Sequence, residues 1–272
     1  KSAGVNRVSL GVQSFDDNVL NQCGRAHRSS DVYHAFELLN RVGIDNFSID
    51  LISSLPGLSF DLWIDTLHKT RESDCKHVSV YDLQIEEKTA FGRWYTPGEF
   101  PLPTDEESAA MYSKAVEILT KVSASQDREA FEHYEVSNYA KKGFRSRHNQ
   151  KYWMRNPTFG FGMGAASFLD NVRQSRPPDM QSYVNYVSQA KEIGYQYALA
   201  LQSVNNIDID GDGGKSEKDD CLEGIMLALR TADGLNLRQI DHNYGVKTKN
   251  KVLKGVSEYI QRGIVLHNID ND

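Results

Sequence analysis

His148-Asn149-x-x-Tyr152-Trp153 sets an imidazole close to two aromatic rings. Neutral imidazole is a common metal ligand, for haem iron among others. Tyr152 and Trp153 offer flat faces for a macrocycle, and Arg145 and Arg147 can pair with carboxylates. The same histidine could equally cap a turn, and the residues alone leave both readings open. A second cluster, Gly160-x-Gly162-x-Gly164, lacks the G-x-G-x-x-G spacing of dinucleotide sites, and no Lys-Ser/Thr follows it. Its glycines permit close backbone approach, either to a ligand or to a neighbouring strand. No nucleophile elbow and no H-E-x-x-H is present, so a hydrolase has no support.

The elements that must position such groups read as a βαβ series. Residues 5–12 alternate like a strand and run into Ser14-Phe-Asp-Asp, a turn and cap signal. Asp31 opens a helix with Val32, Ala35, Phe36, Leu38 and Leu39 at helical spacing, closed by Gly43. Residues 47–52 form a second strand, Ser59 or Asp61 caps a second helix, and residues 77–82 form a third strand. Such alternation gives a parallel sheet, with the chemistry at the carboxyl ends of the strands. Gln13, Asp50 and the segment from Tyr81 to Gln84 fall at those ends.

Residues 89–103 read as an irregular linker, and Thr104-Asp-Glu-Glu107 is a capping box for a helix lined by Met111, Ala115, Ile118 and Leu119. Residues 123–131 look like a polar insertion, and 134–139 like one strand. Helices are expected over 180–193 and 222–230, with a small helical module over 241–266. Between them Asp208, Asp210, Asp212 and Gly213 follow the order of a calcium loop, but its twelfth position is Asp219 instead of the bidentate Glu, so the segment reads as a solvated insertion.

Composition narrows the classes. Lys and Arg total 31 against 37 Asp and Glu, a formal charge of −6, which argues against general nucleic-acid binding. No apolar run approaches the ~20 residues of a membrane span. Cys23, Cys75 and Cys221 lie far apart without a C-x-x-C pair; they read as buried or half-buried thiols in a reducing, intracellular setting.

Several runs in one order then resemble a family. Gly4-Val-Asn-Arg-Val-Ser-Leu-Gly-Val-Gln-Ser-Phe15, Gly24-Arg25-x-His27, Ser48-Ile-Asp-Leu-Ile52, Leu55-Pro56-Gly57, Tyr134-Glu-Val-Ser-Asn-Tyr-Ala140 and Gly160-Phe-Gly-Met-Gly-Ala165 are similar to radical S-adenosylmethionine (SAM) proteins related to oxygen-independent coproporphyrinogen III oxidase. The His148 run resembles the HemW branch, proposed haem chaperones, and is lacking in the oxidases proper.

The resemblance implies an α/β fold: the C-terminal part of a partial (βα)6 radical SAM barrel, an α/β extension and a helical C-terminal domain. It assigns residues 1–103 to the last three barrel strands, 104–200 to the extension, 201–220 to a polar insertion and 221–272 to the helical domain. It places Gln13, Arg25, Asp50 and the backbone at Gln84 against S-adenosylmethionine, and His148 against haem. It implies a [4Fe–4S] cluster whose C-x-x-x-C-x-x-C ligand loop is expected ahead of Lys1, so the chain reads as an N-terminally truncated fragment without cluster ligands. Met163 and Ala166 stand where many relatives carry Pro and His. The expected function is haem handling, with haem-accepting proteins as partners. The alternatives are a coproporphyrinogen oxidase, which decarboxylates propionates to vinyl groups, and a fragment without activity of its own. Cytoplasm, mitochondrion and plastid are not distinguished.

Overall fold

The structure, a computed structural model, describes residues 2–122, 129–169, 171–193 and 217–267. The chain divides into two compact units, 1–146 and 147–272.

In the first unit β1 (Val8–Gln13), β2 (Phe47–Ser53) and β3 (His77–Asp82) pair in parallel, in sequence order. The crossovers carry α1 (Asp17–Gln22), α2 (Ser29–Val42) and α3 (Phe60–Glu72). The cap signals act as expected: Asp16 accepts from the N–H groups of Asn18 and Val19, Gly43 closes α2 in the left-handed region, and Ser59 caps α3. The irregular segment contains one short helix, α4 (Ala90–Trp94), capped by the Thr89 side chain. The capping box of Thr104 and Glu107 opens α5 (Asp105–Thr120).

Residues 134–139 are not one strand. They form a hairpin, β4 (Glu132–Glu135) and β5 (Asn138–Ala140), turning at Val136 and Ser137. The turn is held by the buried Glu135 carboxylate, which accepts from the Ser137 N–H at 3.2 Å and from the Asn138 side chain. Strand β5 pairs antiparallel with β3, giving the order β1-β2-β3-β5-β4. The sheet therefore runs on through residue 140, with β1 at one edge.

Side chains alternate across a strand. Phe47, Ile49, Leu51, Val78, Val80 and Tyr139 turn to one face and form the core with Val32 and Leu39 of α2, Trp63 and Leu67 of α3, and Met111, Ala115 and Leu119 of α5. Burying a side chain of this size contributes about 1.5–3 kcal/mol each before entropy is counted. Trp63 is fully buried because its indole N–H also has a partner, the Met111 carbonyl at 2.9 Å. The opposite face is polar: Ser9, Ser48, Asp50, His77 and Ser79 follow one another across β1, β2 and β3.

The second unit contains α6 (Arg147–Trp153), a hairpin of β6 (Ala166–Leu169) and β7 (Val172–Ser175), and the helices α7 (Met180–Ile193), α8 (Glu217–Ala228), α9 (Leu237–Tyr244) and α10 (Val246–Gln261). Arg155 ties three of these parts together. Its guanidinium pairs with Asp220 and reaches Glu223 at 3.5 Å, both on α8, and lies 5.5 Å from the Phe168 ring centroid of β6. Tyr244 of α9 donates to the other Asp220 oxygen at 2.7 Å. The residues of the calcium-like loop up to 216, and 123–128 of the other polar insertion, lie outside the described residues. Among the described residues no helix is long and apolar enough to cross a membrane.

Candidate functional site

Strand β1 ends on, and β2 is followed by, backbone that non-glycine residues seldom adopt. Gln13 has φ +68° and Ser54 has φ +60°. The cause at Gln13 is visible in the register. Leu10 pairs with Ile49 but Gln13 pairs with Leu51, so Gly11 and Val12 together oppose Asp50. A bulge of this kind re-aims the residues at a strand end. A Cβ at Gly11 would lie 3.0 Å from the Gln13 side-chain nitrogen, so a larger residue there would make that side chain shift.

Asp50 is half-buried on the polar face beside the bulge. Ser9 Oγ lies 3.0 and 2.9 Å from its two carboxylate oxygens, so the serine O–H is shared between them. Ser48 Oγ makes a long contact of 3.5 Å to Oδ1. A carboxylate offers about four lone-pair positions. These contacts leave room for further donors.

Arg25 is exposed in the loop between α1 and α2. The loop is pinned from both sides. His27 Nε2 donates to the Val12 carbonyl of the bulge at 3.1 Å. Arg28 donates to the carbonyls of Arg25 and His27 at 2.7 and 2.8 Å, and to the Asn21 side chain at 2.9 Å. Gln84 is exposed just past β3, where the Leu83 N–H still bonds to the Ser53 carbonyl at 3.3 Å and carries the backbone along the end of β2. Gln13 thus ends β1, Asp50 lies in the middle of β2 beside that end instead of at the end of its own strand, and Gln84 follows β3, with Arg25 on a loop fastened to Val12. A cleft of about 370 Å³ opens at the ends of β2 and β3 toward α5, lined by Ser54, Asp82, Ser108 and Tyr112 among others. The partners of Ser9, Ser48 and His77 are set by strand register and that of His27 by its loop, so sequence pattern assigns none of the four a role.

These groups fit a ligand that carries both a carboxylate and hydroxyl or ammonium donors: an amide and a guanidinium for the first, the Asp50 carboxylate for the second. They do not fit an iron–sulfur cluster. Among the described residues no group of three His, Cys, Asp or Glu side chains could hold a metal ion. Cys75 and Cys221 are buried and Cys23 half-buried, all as free thiols. Burial pushes the Cys75 thiol up to about 11 and raises that of Cys23, the reverse of what a thiolate ligand needs.

In the second unit His148 lies exposed in the first turn of α6. Tyr152, one turn on, places its hydroxyl 3.1 Å from His148 Nε2, with the rings perpendicular and 5.0 Å apart. Tyr152 also lines a small cavity of about 50 Å³ together with Lys151, Arg155, Phe168 and Arg173. The glycine loop resolves toward a structural role. A Cβ on Gly160 would meet the Ala166 carbonyl oxygen at 2.5 Å, and the Gly160 N–H donates to Ser167 Oγ at 3.0 Å. Phe159 and Phe161 beside it are exposed and stacked at 6.5 Å.

The first unit carries a three-stranded parallel run with one polar face, and a Radical SAM superfamily profile matches residues 1–70. The solved structure of Escherichia coli coproporphyrinogen III oxidase (HemN), a radical SAM enzyme, matches 98% of the chain with a TM-score of 0.71, at 17% identity and over 60% of its own length. Within that class the chain is similar to HemW haem chaperones. It is 36% identical over 263 residues to the haem chaperone HemW of Synechocystis sp., and 30% identical over 271 residues to that of Bacillus subtilis. A mitochondrial radical S-adenosyl methionine domain-containing protein 1 from Bos taurus is 36% identical over 165 residues. The chain covers 96% and 100% of itself in the two HemW alignments, but spans 58% and 65% of those relatives, and 36% of the bovine protein.

Proposed function

We propose that the chain is part of a haem-handling protein that binds haem through His148 and S-adenosylmethionine at the strand ends of its first unit. The observation that carries the haem reading is His148 itself. It is an exposed imidazole on a helix, backed by a tyrosine one turn away, in a chain similar along its length to haem chaperones. An exposed imidazole keeps a lone pair within reach of a metal in solution. Tyr152 and the exposed rings of Phe159 and Phe161 supply apolar surface in the same unit.

For S-adenosylmethionine, Gln13 and Arg25 would hold the methionyl carboxylate, Asp50 the ammonium or ribose hydroxyls, and the backbone at Gln84 a further polar edge. The finished protein would pass haem to acceptor proteins inside the cell.

Hemin titration followed at the Soret band tests the reading, with wild type beside His148→Ala. A saturable shift that the variant loses supports it; equal spectra remove His148 as the ligand.

A further inference from the structure

The segment Tyr134-Glu-Val-Ser-Asn-Tyr has no role in the site described so far, yet its first residue reaches the site through a chain of buried polar contacts. Tyr134 is 2% exposed on β4. Its hydroxyl lies 2.8 Å from His77 Nε2. His77, 1% exposed on β3, has Nδ1 2.8 Å from Ser48 Oγ on β2. Ser48 is 3.5 Å from Asp50 Oδ1. Residue 140 makes this reach possible. His77 pairs across β5 with Ala140, and a methyl group there lets the imidazole pass over to β4.

Donor counting fixes the direction. The Tyr134 hydroxyl already accepts from the Ser146 N–H at 3.2 Å. Its single proton needs an acceptor, and His77 Nε2 is the one in reach. His77 then carries its proton on Nδ1 and donates to Ser48 Oγ. That leaves the Ser48 proton to turn toward Asp50. The imidazole stays neutral: burial, with the Arg7 charge nearby, depresses its pKa to about 3.

We propose that Tyr134, His77 and Ser48 form a positioning relay that sets the Asp50 carboxylate for its ligand. Ser9 holds Asp50 from β1, and the relay, running along the same face from β4 and β3, ends on it through Ser48 of β2. None of the three touches the ligand; each acts through the next. The inference rests on the reading of Asp50 as a ligand residue for S-adenosylmethionine.

The test combines titration with S-adenosylmethionine and 15N NMR of the His77 ring. The wild type is expected to show the Nδ1–H tautomer. Ser48→Ala should weaken binding about threefold, the scale of one long, weak hydrogen bond, and Ser48→Thr should restore it. Tyr134→Phe should shift the tautomer toward Nε2–H and weaken binding in parallel. An Nε2–H tautomer in the wild type overturns the relay. So does a Ser48→Ala chain that binds like wild type while Asp50→Ala loses binding; that outcome leaves the Asp50 reading intact. Asp50→Ala binding like wild type, or a wild type that does not bind, overturns both. Thermal melts accompany each variant. If Tyr134→Phe does not fold, the Ser48 pair and the wild-type tautomer decide the matter.

Discussion

Tyr152 Oη sits 3.1 Å from His148 Nε2, one helical turn away on α6. A nitrogen cannot ligate iron along a direction that a hydroxyl oxygen occupies at hydrogen-bond distance. Ligation through Nε2 therefore requires the Tyr152 hydroxyl to swing aside. Tyr152→Phe removes that competitor and keeps the ring. Hemin should bind the variant about fivefold more tightly, the scale of one neutral hydrogen bond. Weaker binding in an absorbance titration would mean that the hydroxyl itself supports the ligand.

The buried His77 makes stability depend on pH. Its pKa is depressed to about 3, against an ordinary value of 6.5 in the unfolded chain. Between those values the unfolded state takes up a proton that the folded state refuses. Stability is thus present above about pH 6.5 and lost as pH falls toward 3, at roughly 1.4 kcal/mol per pH unit. Urea melts should show a loss of about 2 kcal/mol between pH 7 and pH 5 from this group. His77→Phe should flatten that slope. An unchanged slope would assign the acid sensitivity to other groups.

Gly160 has no room for a methyl group, because the atoms it would meet belong to the Ala166 backbone. Gly160→Ala should destabilise the second unit by about 2 kcal/mol, the usual scale of overpacking. Gly162, at φ +98° but with open space where a Cβ would go, serves as the comparison. Its alanine variant carries backbone strain alone and should lose less in a thermal melt.

Arg155 follows α6 with φ +54° and a side chain only 14% exposed, against Asp220 and Glu223. Arg155→Met would remove the cation that Asp220 and Glu223 share, leaving Tyr244 on the first and Arg173 on the second, at a cost of about 3 kcal/mol. Arg155→Met combined with Asp220→Asn should recover part of this, which a double-mutant cycle measures.

Much of the frame was legible in the sequence because local signals agreed with the fold. Hydrophobic spacing placed α2, α3 and α5, and Asp16, Ser59 and Thr104 marked the starts of α1, α3 and α5. The hairpin of β4 and β5 was missed because its turn uses neither Gly nor Pro. A buried carboxylate, Glu135, supplies the turn bonds instead. His27, Ser48 and His77 were missed for a different reason. Each acquires its partner through strand register or loop closure, 15 residues away for Val12 and 29 for the Ser48–His77 pair. No periodicity records such distances. The glycine loop shows the converse: its composition left two readings open, and the contact with Ala166 decided for close packing at Gly160.

The central claim is that His148 presents the iron-binding nitrogen. His148→Gly would leave an imidazole-sized gap on an exposed helix. The most direct measurement is the Soret spectrum of hemin with this variant, before and after adding free imidazole. The account predicts loss of the saturable shift in His148→Gly and its return with imidazole. A His148→Gly chain that binds hemin with the wild-type spectrum, without imidazole, would contradict it.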